Sequence, residues 1–245
     1  MKKFLLLLLV LASIFSLQAQ GLKGLIKKVT KDSSLSNIIP QTPVTGLSNT
    51  DIISGLKEAL TVGANNGTKK LSVVDGFFQD AAIKILMPVE AQKVETKLRA
   101  IGLGKQVDNA ILSMNRAAED AAQSAAPIFI NAIKGMSIQD GLGILKGGDF
   151  AATNFLKEKT VMQLTEAFRP VIEASLQKVN ATKYWKTLFT TYNTFSKEPV
   201  NTDLSAYVTE RALAGIFYQV GLEEQKIRKD PFARTTDLLK KVFSN

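Results

Sequence analysis

GKQVDNAILSMNRAAEDAAQSAAPIFINAIKGM, residues 104–136, is the stretch whose periodicity decides the fold. Apolar side chains recur at Val107, Ile111, Met114, Ala118, Ala121, Ala125, Ile128 and Ala132, in alternating steps of four and three. That spacing keeps one stripe on one side of an α-helix. Ala117 and Ala122 widen the stripe with small side chains, which let a neighbouring helix approach closely. Pro127 lacks an N–H and crowds the preceding turn, so a kink or break is expected near Ala125–Pro127.

The polar residues of this stretch include the first candidate ligand-binding group, Asn115, Arg116 and Glu119. Arg116 lies opposite Met114 and reaches Glu119 or Asp120 one turn on. The arginine is read either as a grip for an anionic ligand or as part of a solvated charged face, and the second is the commoner use of such pairs. Asn115 sits at the edge of the stripe, where a polar contact to a packed neighbour fits equally well.

Outward from this centre the same period repeats. A helix carrying Ile52, Ile53, Leu56, Ala59 and Leu60 is capped by Ser48, Asn49 or Thr50 and expected to end near Asn65-Asn66-Gly67. Residues 71–87 are the least helical: Val73–Phe78 reads as a turn whose aromatic residues plug the core, and Ala81–Met87 as a short extended segment. Pro88 suits the first turn of a further helix, which runs to Gly102. After Met136 come a short helix from Ser137 to Leu145, a Gly147-Gly148-Asp149 turn, and a long helix to about Val179 in which Pro170 marks a possible kink.

Asp149 is a good N-cap for that helix, and a glycine pair before a helix start can also hold a phosphate or carboxylate. Asp149, Thr153 and Lys157 therefore join the candidate ligand-binding residues, with Thr160 one turn on, although plain helix punctuation accounts for the glycines as well. An aromatic helix follows with Tyr184, Trp185, Leu188, Phe189, Tyr192 and Phe195, a cluster that reads as core rather than as a binding platform. A last long helix runs from Asp203 to Lys229, and Asp230-Pro231 separates it from a final helix ending at Phe243. Arg228, Asp230 and Arg234 (with Asp237) gather at this break, as an anion site or as a charge-paired junction; the junction is favoured.

No run of strands with alternating polarity appears. The expected class is all-α: a single-domain orthogonal or bundle-like array of about eight helices around a long central helix.

The front end carries a different signal. Lys2 and Lys3 precede an apolar run from Phe4 to Leu17, and Leu17-Gln18-Ala19-Gln20 supplies a cleavage site after Ala19. Residues 1–19 read as a secretory signal peptide, too short for a membrane span, and place the protein in the periplasm or outside the cell. With no cysteine, a lipid anchor on that residue type is closed. Residues 20–46 read as a basic arm and linker: Leu22, Leu25, Ile26 and Val29 form a stripe flanked by Lys23, Lys27, Lys28 and Lys31. Such a pattern suits an anionic membrane surface, or a helix docked on its own domain. The folded domain is expected over 47–245.

Two zeros narrow the chemistry. The chain has no histidine and no cysteine, which removes His-based triads, His- or thiolate-ligated metals, and thiol redox work. No catalytic residue, metal ligand or cofactor is assigned. The formal charge of +9 includes the two leader lysines; in an exported protein it suits anionic lipid or wall polymer better than nucleic acid, but a modest positive charge also simply aids solubility, and that explanation is favoured.

The phrases GLKEAL (55–60), DGFF (75–78), LSMNRAAEDAA (112–122), GGDFAAT (147–153) and RKDPFARTTDLLKKVF (228–243) resemble, in order, a bacterial family known only as a domain of unknown function, number four-one-nine-seven. The resemblance spans about Leu47 to Phe243 and leaves the front arm outside. It implies an exported, mainly helical protein and brings no activity, ligand or catalytic residue. The reading that follows is a non-enzymatic envelope protein that binds a ligand or partner. The alternatives are a peripheral membrane or structural protein using the basic arm, and a hydrolase of cell-wall material using two of Glu119, Asp120, Asp149 and Glu166.

Overall fold

Apolar stripes at helical spacing must be buried against one another, and the computed structural model, which describes residues 48–194 and 196–230, shows how. The described residues form eight α-helices, one 3₁₀ turn and no strand. The leader, the basic arm with its lysines, Phe195, and the expected final helix with Arg234 and Asp237 lie outside the described residues.

The first helix, α1, spans Asn49–Leu71. Ser48 caps it: its hydroxyl accepts from the Asp51 N–H, and the Asp51 carboxylate accepts from the Ser48 N–H. This capping box satisfies two groups that a helix start otherwise leaves open. The helix does not stop at Gly67 as expected but continues one further turn. Gly63 and Gly67 are packing residues: a Cβ on them would stand 3.4 Å from Glu223 Cβ and 3.5 Å from Gln219 Cγ on the helix Leu204–Lys229. The absence of side chains there brings two backbones together, which a local reading of glycine as a terminator misses.

Residues 72–88 form the irregular segment. Phe77 is fully buried, as expected of a core plug, and Ile83, Ile85 and Met87 point inward while Leu86 is exposed. Pro88 caps a 3₁₀ turn, Val89–Ala91, that leads into α2, Gln92–Ala100. Gly102, at φ +85°, turns the chain into α3, Gly104–Ala122. The central stretch breaks at Gln123–Ser124, slightly before the expected point, and α4 runs Ala125–Lys134. Pro127 is the third residue of α4, where no intrahelical partner for its missing N–H exists.

Helix α5, Ile138–Lys146, carries a second capping box, Ser137 with Asp140. Helix α6, Ala151–Lys178, runs unbroken through Pro170. Helix α7, Ala181–Asn193, is entered through Asn180 in the left-handed region, and α8 spans Leu204–Lys229 behind an Asp203 cap.

The array matches the expected class, but its centre is shared. The most extensive packing joins α6 to α8 and α3 to α6, with α1 against α8. Met114, Ala117, Ala118, Ala121 and Ala122 of α3, Leu164, Phe168 and Ile172 of α6, and Ala212 and Ile216 of α8 are essentially without solvent contact. Alanines on α3 allow this close approach, and each large side chain buried there contributes about 1.5–3 kcal/mol.

Candidate functional site

Of the polar residues singled out in the sequence, Asn115, Arg116, Glu119, Thr153 and Arg228 belong to two internal networks rather than to one open pocket. The first surrounds the irregular segment. An extended stretch with no partner strand leaves backbone groups to satisfy. Asn115, fully buried on α3, does this for Ile85: its Oδ1 accepts from the Ile85 N–H at 2.9 Å, and its Nδ2 donates to the Ile85 carbonyl at 2.8 Å. One turn on, Glu119 is 3% exposed and accepts from the N–H groups of Phe77 and Phe78.

Arg116 closes this network. It donates to Glu119 and to Asp75, each at 2.6 Å. Asp75 adopts φ +71°, a left-handed conformation uncommon for a residue with a side chain, and the arginine ties it down. Arg116 pairs with Glu119, one of its two expected partners, but not with Asp120, whose carboxylate accepts from the Ser175 hydroxyl instead. The guanidinium that was a candidate anion grip thus holds two carboxylates of its own chain.

The second network lies at the start of α6. Asp149 is not the cap: no side chain within the local turn accepts from the first amides. Glu224 of α8 does so from across the core, accepting from the N–H of Ala152 at 3.0 Å and from the N–H and hydroxyl of Thr153, each at 2.8 Å. A buried carboxylate is favoured there because helix N-terminal amides and the helix dipole both suit negative charge. Arg228 pairs with Glu224 and donates to the Ile144 carbonyl, tying α5, α6 and α8 together. The anion position suggested by Gly147-Gly148 is filled by the protein itself. Asp149 is exposed and pairs with Lys229, Lys157 is exposed, and Asp230 ends α8.

The space that remains open lies elsewhere. Helix α2 packs on α3, and α7 packs on α6 and α8; between these two groups runs a cleft of about 730 Å³. This is within the range of about 300–1,000 Å³ usual for small-molecule sites. Val94 and Leu98 form the apolar stripe of α2, a helix with no fully buried residue, and they face the cleft instead of a closed core. Val107, Ala110 and Met114 of α3 form the floor. The opposite wall is Tyr184, Trp185, Leu188 and Phe189 of α7. Trp185 and Phe189 pack with ring centroids 4.4 Å apart and their planes tilted at 51°, and the indole N–H donates to the Asn201 carbonyl. Tyr184 is 67% exposed and Leu188 40%.

The aromatic helix is therefore core on one side and cleft wall on the other, a correction to its reading as core alone. None of Arg116, Thr153, Lys157 and Arg228 lines the cleft, and neither do Glu119, Asp120, Asp149 and Glu166. The legible signals were the unspent Val94/Leu98 stripe and the aromatic spacing of α7; nothing local marks Glu224 as the partner of Thr153. Among the described residues there is no cluster of acidic side chains able to hold a metal ion, and no helix long and apolar enough to cross a membrane.

No curated protein and no solved structure matches the chain. One family model does, over residues 46–244, so that nearly all of the helical array falls within it. On that match the chain belongs to the family described as a protein of unknown function, DUF4197.

Proposed function

We propose that this is a non-enzymatic binding protein that takes an apolar small molecule into the cleft between α2, α3 and α7. The observation that carries the reading is the cleft itself: a space of about 730 Å³ walled mainly by apolar and aromatic side chains, beside a core in which the apolar stripes of the described helices α1, α3, α6 and α8 pack on one another. Burial of apolar ligand surface there supplies the driving force, and the packed Trp185–Phe189 pair supplies an aromatic wall. The absence of histidine and cysteine, and the engagement of Glu119 and Glu224 in backbone bonds, support binding over catalysis. The leader pattern of residues 1–19 supports a place in the cell envelope.

The test is a titration with N-phenyl-1-naphthylamine, an uncharged apolar fluorophore, into the protein and an Ala110→Phe variant that fills the floor of the cleft. Saturable enhancement in the first, weakened about tenfold or more in the second at unchanged helicity and melting temperature, is the expected result. Enhancement that never saturates, or that Ala110→Phe leaves as it was, would overturn the reading.

A further inference from the structure

The chain carries 31 lysines and arginines, yet among the described residues none lines the cleft. Its one carboxylate is Glu95, whose side chain is 22% exposed. The nearest cation to it, Arg99, is already committed twice: its Nε donates to Glu95 at 2.9 Å and its Nη2 to Asp108 at 2.8 Å. Two carboxylates share one guanidinium, so the cation beside Glu95 is already engaged and is not offered to an anion entering the cleft. The other polar groups at the edge are uncharged. Gln106 and Asn109 present amides at the exposed rim of α3, with Ser113 one turn further in. An amide offers both a donor and an acceptor, which suits a hydroxyl or an amide head.

We infer that the ligand is a single-chain amphiphile with an uncharged, hydrogen-bonding head, a long-chain alcohol or amide, and that Glu95 selects against the corresponding carboxylate. This rests on the cleft being a ligand site. An anionic head seated beside Glu95 would lose hydration and meet like charge, a cost that a hydroxyl avoids. A cationic head would have to compete with Arg99 for a carboxylate that is already paired.

The sole tryptophan of the chain, Trp185, stands in the cleft wall and reports occupancy without a label. The experiment titrates 1-dodecanol below its aqueous solubility limit, and dodecanoate and dodecyltrimethylammonium below their critical micelle concentrations, into the full-length protein and a Glu95→Gln variant, and follows Trp185 emission. Glu95 belongs to a partly exposed pair within one helix, so Glu95→Gln is expected to fold. The expected result is saturable binding of dodecanol, about tenfold or more tighter than dodecanoate, with the ratio of the two falling severalfold in Glu95→Gln. A ratio that Glu95→Gln leaves unchanged, or dodecanoate or dodecyltrimethylammonium binding tighter than dodecanol, would overturn the inference while leaving the cleft a binding site. No change in Trp185 emission with any of the three would remove the binding reading itself.

Discussion

Thr153 donates twice to Glu224, from its backbone N–H and from its hydroxyl, each at 2.8 Å, although the two residues lie on different helices and 71 positions apart. Through this contact α8 places a carboxylate on the first turn of α6, and Arg228 holds that carboxylate from the other side. Glu224→Ala is expected to cost about 3–5 kcal/mol, because it removes the buried carboxylate that the Arg228 guanidinium and the Ala152 and Thr153 amides share. Glu224→Gln should cost less, about 1–3 kcal/mol. Urea unfolding midpoints of the two variants, with Glu224→Met/Arg228→Leu as the apolar replacement of the pair, check the ordering; the double variant should recover part of the loss.

Asn115 serves the irregular segment as a partner strand would, satisfying both backbone groups of Ile85. Asn115→Leu keeps the volume and leaves a buried N–H and a buried carbonyl without partners. A loss of about 2–5 kcal/mol is expected. Hydrogen exchange at Ile85 separates this from a general packing effect: its amide should lose protection ahead of those in α6.

Two glycines on neighbouring surfaces predict opposite outcomes. A Cβ at Gly67 would meet Gln219 at an ordinary contact distance of 3.5 Å, so Gly67→Ala should gain helix propensity and stabilise by up to about 1 kcal/mol. A Cβ at Gly215 would stand 2.5 Å from Phe77 Cε1, inside a ring that is fully buried. Gly215→Ala should destabilise by about 1–3 kcal/mol despite the same propensity gain. Thermal melts of the two variants decide it, and equal shifts of the same sign would contradict the packing argument.

Acid should weaken the fold through its caps. Burial pushes the Asp203 carboxyl up, but the bond from the Ala206 N–H and the pairing with Arg169 outweigh it, and the group lies below its ordinary value of 3.8. The Ser137 hydroxyl and N–H likewise hold Asp140 below 3.8. A carboxyl whose folded pKa is depressed contributes stability that is fully present above its unfolded value, about 3.9, and is lost as pH falls through the folded value. Unfolding midpoints should therefore drop below about pH 4. Asp203→Asn and Asp140→Asn should each flatten that acid limb; variants that follow the parent curve would show that other carboxylates govern it.

The all-α class, the Phe77 plug, a first helix capped within Ser48–Thr50 and a short helix from Ser137 were legible because each depends on periodicity or on residues within one turn. Gly67 was misread as a terminator, and α7 as core alone, because both depend on what packs opposite: α8 against the glycine, and open space against Tyr184 and Leu188. Of the candidate ligand-binding residues, Asn115, Glu119, Thr153 and Arg228 all make specific polar bonds within the chain. Their partners, however, are the backbone of residues 77–85 and a carboxylate on α8.

By itself the sequence determined the chemistry this chain lacks, through its missing histidines and cysteines, and the stripes that make it a helical array. Only the tertiary structure decided where its polar groups are satisfied and where a cleft remains. Hydrophobic periodicity is a local property of one helix, whereas hydrogen-bond satisfaction and cavity volume depend on which helices meet across tens of residues of chain.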